Sequence, residues 1–213
     1  MKNKHVAKDN DLLSILLGSQ KTPTAFIERN RGRVLEYYLT GSIEDASEYV
    51  EWFNSIRHAE RNDIVKIYIN SHGGDLYTAI QFMRIIRDTQ ATVITSVEGE
   101  CSSAATIIFL AADKFEVTQH STFMFHNYSG GTFGKGGEMI DQLVYERKWS
   151  EALFNDVYAD FLSPQEIADI LNSKDIWMDA QTVVNRIQLR AEAQKIKRKV
   201  PDDEEPDDVS LKL

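Results

Sequence analysis

The chain has 213 residues, of which 42% are hydrophobic, enough for one substantial core and too few for two ordinary enzyme domains. A formal net charge of −9 argues against binding to nucleic acid or to an anionic membrane, because both need clustered Lys and Arg. The single cysteine, Cys101, excludes an internal disulfide framework and favours a reducing compartment, the cytoplasm. No apolar stretch approaches the roughly 20 residues that cross a bilayer.

The first third of the chain predicts a strand, a helix and a second strand. Residues 1–32 are polar apart from one short apolar run, and we expect them to form an arm or loop outside the core. Residues 34–39 are a strand candidate, and apolar residues then recur at helical spacing over residues 46–56. A short β-rich run follows at residues 64–69.

The same alternation continues through the middle of the chain. The spacing predicts a helix over residues 76–86, a strand over 92–97 and a buried helix over 102–112. Two further short strands are expected at residues 114–118 and 122–126. Strands that alternate with crossover helices predict an α/β fold with a mostly parallel sheet.

The last third is predicted to be helical. A glycine-rich stretch, residues 130–137, precedes a long helical segment. Residues 163–166 (Ser-Pro-Gln-Glu) are typical of a helix start, because Ser and Glu can cap free amides and Pro is tolerated at the first position. Residues 179–184 are expected to form a short helix. Blocks of like charge over residues 191–213 predict a disordered tail.

Three features fall at the C-terminal ends of predicted strands, where open α/β sheets place their ligand sites. They are the Gly73-Gly74 turn, the turn that ends at Ser103, and His126. A serine needs a base to become a nucleophile, and the oxyanion that develops needs fixed amide donors. Each feature alone is weak, since a serine that opens a helix is usually only a cap. Their conjunction indicates nucleophilic catalysis.

Five segments resemble, in the same order, segments of the Clp protease proteolytic subunit family (ClpP, peptidase family S14). Residues 69–74 (Ile-Asn-Ser-His-Gly-Gly) resemble its Asn-Ser-Pro-Gly-Gly turn, and residues 99–103 (Gly-Glu-Cys-Ser-Ser) its Gly-x-x-x-Ser nucleophile turn. Residues 123–127 are similar to its histidine segment and residues 174–180 to its aspartate segment. Residues 39–45 resemble the approach to its first helix.

The resemblance covers residues 33 to about 187 and identifies the chain as a divergent member of the ClpP family. It implies a peptidase domain over residues 33–190, with a ClpP/crotonase-like spiral fold and a protruding helical handle, and an axial loop within residues 1–32. It further implies two stacked heptameric rings, an AAA+ unfoldase of the ClpX or ClpA type, and unfolded polypeptides as substrates. It implies no cofactor and no metal.

Carried over residue by residue, the resemblance makes Ser103 the nucleophile, His126 the base and Asp175 the group that orients the imidazole. The implied reaction is peptide-bond hydrolysis through an acyl-enzyme, without ATP. The oxyanion would be held by the amides of Ala104 and Gly73, with Gly74 as a further candidate. The implied substrate-binding residues, which would pair with peptide backbone as edge strands, are Asp75, Leu76, Asn127, Tyr128, Gly130 and Gly131.

The chain departs from the family pattern at several positions, and none of them removes a triad member. His72 stands where the family has Pro, Ala104-Ala105 replace Met-Gly, and Asn127-Tyr128 replace Gln-Pro. We therefore expect an active peptidase from a divergent lineage. His72 lies in the glycine turn, where it is expected either to be solvated or to line the cleft.

Several alternatives remain open from the residues alone. Ser102 is the rival nucleophile, whereas Cys101 is expected to be a buried core residue. Asp169 and Asp179 are alternatives to Asp175. Two rival functions are a catalytically inactive ClpP-like ring subunit and a crotonase-fold acyl-CoA enzyme, which uses paired amides on a thioester carbonyl.

Overall fold

The computed structural model describes residues 32–199, with side chains up to Glu192. The predicted arm, apart from its last residue, and the end of the predicted tail, residues 200–213, lie outside the described residues.

Within residues 32–199, six strands form one sheet with the order β1-β2-β3-β5-β6, and β4 also pairs with β3. All neighbouring strands run parallel except the last pair, β5 and β6, which is antiparallel. The predicted α/β fold with a mostly parallel sheet is therefore confirmed. The strands are β1 (Val34–Ile43), β2 (Ile64–Gly74), β3 (Thr92–Ser102), β4 (Lys114–Val117), β5 (Thr122–Phe125) and β6 (Ile176–Asp179).

Over the described residues, six α-helices connect and cover the strands. A 3₁₀ turn, Ala46–Tyr49, leads into the first of them and is capped by the Asp45 side chain. The helices are α1 (Val50–Arg57), α2 (Leu76–Asp88), α3 (Ala104–Leu110), α4 (Gly136–Tyr158), α5 (Pro164–Leu171) and α6 (Ala180–Lys199).

The core lies where α2 and α3 pack on the central strands. Successive side chains of a strand point to opposite faces, and on one face of β2 Val65, Ile67 and Ile69 have no exposed surface. Every residue of α3 is buried, as its almost wholly apolar sequence predicts. Each fully buried aliphatic side chain contributes roughly 1.5–3 kcal/mol, so this layer holds the end of β3 in a fixed position.

Helix α4 is exposed along its first two-thirds and buried only near its end. Its buried residues are Ser150, Phe154, Val157 and Tyr158. We call residues 136–149, none of which is buried, the handle.

Strand β2 is longer than predicted. The turn expected at residues 70–74 continues the strand, because Ser42 pairs with Gly73 and Ile43 pairs with Gly74 after a register shift in β1. The shift lies at Gly41, which has a φ of 79°. Glycine adopts this angle readily, whereas it is costly for other residues. The glycine pair is therefore held on the sheet.

Helix α6 is also longer than predicted. It was expected to end near Val184 and continues to Lys199, so the start of the predicted disordered tail, residues 191–199, is helical. The reason is that residues 190–199 are rich in Arg, Ala, Gln, Glu and Lys, which are strong helix formers.

Candidate active site

Ser103 lies between the end of β3 and the start of α3. Its φ of 56° and ψ of −129° are rare for a residue with a side chain. Its amide donates to the carbonyl oxygen of Met124 (2.8 Å), and its own carbonyl accepts from the amide of Thr106 (3.0 Å). The Ser103 side chain makes no capping bond to α3. The hydroxyl is therefore free to face the cleft rather than cap the helix.

Gly73 lies directly against Ser103. A Cβ atom at Gly73 would stand 2.7 Å from the Cβ of Ser103 and 2.8 Å from the carbonyl oxygen of Ser102. The φ of Gly73 is +98°, which also disfavours a side chain. Only glycine allows β2 and the Ser103 turn to approach this closely.

His126 follows β5 and contacts Ser103. The distance from its Nε2 atom to the Oγ atom of Ser103 is 2.7 Å, a hydrogen bond. With Nδ1 protonated, Nε2 accepts the hydroxyl proton, which is the orientation that a general base needs. The His126 side chain is 23% exposed, so solvent reaches it only partly.

Asp175 lies beside His126 because of strand pairing. Phe125 and Ile176 are partners in the antiparallel β5–β6 pair, so the next positions outward are His126 and Asp175. The distance from His126 Nδ1 to Asp175 Oδ1 is 3.8 Å, which is too long for a hydrogen bond and short enough for a charge interaction. A shift of about one ångström would close the gap.

A cleft of about 500 Å³ opens over Ser103 and His126. Five of the six predicted substrate-binding residues line it, as does His72. Asn127 is not among the lining residues, and its side-chain oxygen accepts from the amide of Tyr128 (2.9 Å). The predicted lining residues are Asp75, Leu76, Tyr128, Gly130 and Gly131.

The segments around the cleft differ from the edge strands expected after Gly74 and after His126. Asp75 caps α2 by accepting from the amide of Thr78 (2.7 Å), and Leu76 is the first residue of that helix. Residues 126–135 have no strand or helix. Any backbone pairing with a peptide would therefore form only when the peptide binds.

The backbone amides predicted to bind the oxyanion differ in whether they already donate a hydrogen bond within the protein. Ala104 begins α3, where the first amides have no partner within the helix. The amide of Gly73 donates to the Oγ atom of Ser71 (3.1 Å), whose hydroxyl donates to the carbonyl of Gly41 (2.6 Å). Gly74 lines the cleft.

The sequence also matches known proteins over the part of the chain that carries this site. The Clp protease family matches residues 33–186. The chain belongs to the Clp protease family. A curated member of the family, the ATP-dependent Clp protease proteolytic subunit 2 of Pseudomonas aeruginosa, is 24% identical over 160 residues, which cover 71% of this chain and 77% of that protein. The chain is thus a divergent ClpP-like member of peptidase family S14, a family of serine peptidases.

The two rival nucleophiles of this Clp protease family member lie inside the fold. Ser102 has no exposed surface, and within the described residues its Oγ atom has no hydrogen-bond partner. Cys101 is also fully buried, and burial raises the pKa of its thiol well above the usual value. Neither residue lines the cleft.

The two rival acids have structural partners away from His126. Asp179 accepts from the amide of Thr182 (2.8 Å) at the start of α6. Asp169 forms an ion pair with Lys174 (2.6 Å), and this contact lowers the pKa of the carboxyl.

Eight cleft residues were not identified from the sequence, and three of them are Ile107, Met124 and Ser129. The other five lie on two helices. They come from the start of α2 and from one face of α4, where their spacing of three to five residues is the signal that could have grouped them. That spacing does not show that this face of α4 meets the cleft at the end of the sheet. The residues are Tyr77, Glu146, Trp149, Phe154 and Tyr158.

Residues 32–199 contain neither a cluster of metal-binding side chains nor a membrane-spanning helix. Within this range, no three His, Cys, Asp or Glu side chains come together as a metal site. No helix in the same range has the length and apolar character to span a bilayer.

Proposed function

We propose that this Clp protease family member is a serine endopeptidase that cleaves unfolded polypeptides without ATP, with Ser103 as nucleophile, His126 as base and Asp175 as the orienting acid. The observation that carries the proposal is the 2.7 Å contact between His126 Nε2 and Ser103 Oγ inside the cleft. An inactive relative or an acyl-CoA enzyme has no need for this hydrogen bond.

The geometry supports an acyl-enzyme route. Ser103 Oγ attacks the peptide carbonyl and passes its proton to His126 Nε2, which then protonates the leaving amine. Water then attacks the acyl carbon while His126 takes one of its protons. His126 returns that proton to Ser103 Oγ as the bond to the acyl carbon breaks and the carboxylic acid leaves. The imidazolium that forms in each step attracts Asp175 more strongly than neutral imidazole does, which favours closing the 3.8 Å gap.

The oxyanion would be stabilised first by the amide of Ala104. Gly73 is the second proposed donor, and its amide must leave Ser71 Oγ to bind the oxyanion. Gly74 is the alternative donor from the same turn. Each well-placed amide supplies about 3–4 kcal/mol to such a transition state.

We also propose self-assembly into two stacked heptameric rings that enclose the clefts. Support comes from four exposed apolar side chains on the handle, which a solitary protein would rarely leave in water. The Pseudomonas aeruginosa relative is named as a subunit of an ATP-dependent protease, so we propose an AAA+ unfoldase of the ClpX or ClpA type as partner. The buried free thiol of Cys101 supports a cytoplasmic location. The four side chains are Ile140, Leu143, Val144 and Tyr145.

The test is active-site labelling with a fluorophosphonate probe, read together with hydrolysis of an unstructured fluorogenic peptide. We expect Ser103→Ala to abolish both signals, because no other described hydroxyl contacts His126 in the cleft. Ser102→Ala is the matched control, since the hydroxyl it removes is buried outside the cleft, and it should keep both signals.

Labelling that survives in Ser103→Ala would contradict the assignment of the nucleophile. A wild-type protein that takes no label and cleaves no peptide, while folded and assembled, would support the inactive ring subunit instead. Tight binding of acyl-CoA in the same preparation would favour the crotonase-type alternative.

A further inference from the structure

A carboxylate lies in the same cleft as Ser103. Glu146 of the handle accepts a hydrogen bond from the hydroxyl of Tyr128 (3.0 Å) and another from the Nε2 atom of Gln142 (2.6 Å). The Oε1 atom of Gln142 accepts a hydrogen bond in turn from the hydroxyl of Thr132 (2.6 Å). The Glu146 side chain is thus fixed from both sides. A carboxylate offers about four acceptor positions, so about two remain for a ligand.

The cleft carries negative charge and no fixed positive charge. Its acidic residues are Glu146 and Asp75, and its described lining residues include no Lys or Arg. Asp75 is occupied as the cap of α2, and no ion pair between described residues involves Glu146. Burial first, then the hydrogen bond to Glu146 and the charge of that carboxylate, raise the pKa of the Tyr128 hydroxyl.

The rest of the lining suits the stem of a long side chain. Ile107, Met124 and Phe154 contribute apolar surface to the cleft. The rings of Tyr77 and Trp149 lie 5.8 Å apart and add aromatic surface. Lys and Arg combine an apolar stem with a cationic end, and aromatic faces also attract cations.

We infer that this cleft selects substrates with Lys or Arg immediately before the cleaved bond, with Glu146 as the residue that determines this specificity. The inference rests on the proposed function, since it places that side chain beside the bond that Ser103 attacks. A Leu or Phe side chain would cover the carboxylate without compensating its charge. A Glu side chain would be repelled by it.

The test uses fluorogenic peptides that are identical except for the residue before the leaving group, which is Arg, Lys, Leu, Met or Glu. We expect the wild-type kcat/KM to be highest for Arg and Lys and lowest for Glu. Glu146→Gln keeps the shape and removes the charge. It should lower kcat/KM for the Arg peptide by about ten-fold or more, while the Leu peptide changes little.

Glu151→Gln is the matched control, because it removes an exposed glutamate of the same helix outside the cleft, and it should leave the order unchanged. A wild-type preference for Leu or Met over Arg would overturn the inference. An equal loss for the Arg and Leu peptides in Glu146→Gln would also overturn it, since a charge effect must be selective.

A second measurement separates this inference from the proposed function. The Ser103→Ala protein, which cannot turn over, is titrated with fluorescent peptides that end in Arg or in Leu. We expect tighter binding of the peptide that ends in Arg, and a loss of that advantage when Glu146→Gln is added. Equal binding overturns the specificity inference, whereas absent labelling and hydrolysis in the wild type overturn only the proposed catalysis.

Discussion

The backbone at Ser103 is held in a costly conformation that serves its side chain. A positive φ at a residue with a Cβ atom costs about 1–3 kcal/mol unless its surroundings hold it there. The bond to the Met124 carbonyl and the two bonds that Ser103 O accepts from Thr106 supply that support. The same geometry that strains the backbone directs Oγ toward His126. At the residue scale, the site is thus built by the neighbours of Ser103.

The first residue-scale prediction concerns the contact between Gly73 and Ser103. Gly73→Ala would add a methyl group 2.7 Å from the Cβ of Ser103, so the serine must move. We expect kcat/KM for an unstructured peptide to fall by about 100-fold, since a displacement of about one ångström costs that much. The rate of fluorophosphonate labelling should fall in parallel.

Gly137→Ala is the control for this substitution. Gly137 is exposed near the start of α4, and a Cβ atom there meets nothing within 4 Å. It should keep full activity. Near wild-type labelling in Gly73→Ala would show that the close approach is not needed for the reactivity of Ser103.

At the element scale, a partly buried ion pair connects α5 to α6. Arg186 donates two hydrogen bonds to the Glu166 carboxylate, at 2.7 and 2.9 Å, and a third to the Phe161 carbonyl at 3.2 Å. Glu166 also completes the capping box with Ser163, as the sequence predicted. These contacts lower the pKa of Glu166 to about 2, and the hydrogen bonds from Arg186 have the largest effect.

The second prediction is a dependence of stability on pH. The folded pKa of Glu166 lies below its ordinary value of 4.5, so the ion pair stabilises the fold above that pH and loses its effect as the pH falls towards 2. The free energy of unfolding should therefore fall more steeply in wild type than in Glu166→Gln over this range. Both side chains are about one-quarter exposed, and the difference should be about 1–2 kcal/mol.

Chemical denaturation at fixed protein concentration, from pH 2 to pH 7, measures this difference. Glu51→Gln, which removes an exposed glutamate carboxylate on α1, is the control for the loss of one negative charge. An offset between Glu166→Gln and wild type that stays constant with pH would mean that Arg186 does not lower the Glu166 pKa.

Much of the element order could be predicted because the apolar pattern is strong. Strand β2 and the two helices α1 and α2 each bury one face, so their apolar residues recur at strand or helix spacing and are easily recognised. Strand β6 was not predicted as a strand, since its four residues are mostly exposed and gain their place only by pairing with β5. The length of β2 was missed because it depends on the register shift beside Gly41.

The candidate site was predictable in part. Ser103, His126 and Asp175 were identified by resemblance, and the structure brings them together at the distances given above. Glu146 was missed, because helical spacing groups residues on one face without saying what that face meets. The bond from the Ser71 hydroxyl to the Gly41 carbonyl could not be predicted either, since it requires two chain segments to be in contact.

At the scale of the whole molecule, the handle presents an apolar face with no partner within the described residues. Ile140 and Val144 are one helical turn apart and are 64% and 65% exposed, with Leu143 and Tyr145 beside them. Burying such a face stabilises an assembly by roughly 25 cal/mol for each Å² of apolar surface. We therefore expect the handle to form contacts between subunits.

The third prediction tests this contact. Val144→Glu places a charge in the apolar face and should shift the native mass from the full assembly to smaller species. Lys148→Glu, which introduces the same side chain at an exposed polar position of the handle, should leave the native mass unchanged. If Val144→Glu assembles as wild type does, the handle face is not the contact between subunits.

The antiparallel pairing of β5 with β6 has a consequence for which changes in chain length the molecule tolerates. His126 and Asp175 are neighbours across two short strands, although α4 and α5 lie between them in the chain. Lengthening or shortening the segment between β5 and β6, which contains α4 and α5, leaves the two side chains in place. One residue inserted within β5 turns His126 to the opposite face of the sheet and separates it from Asp175. Insertions and deletions among natural sequences should therefore occur between β5 and β6 and not within these two strands.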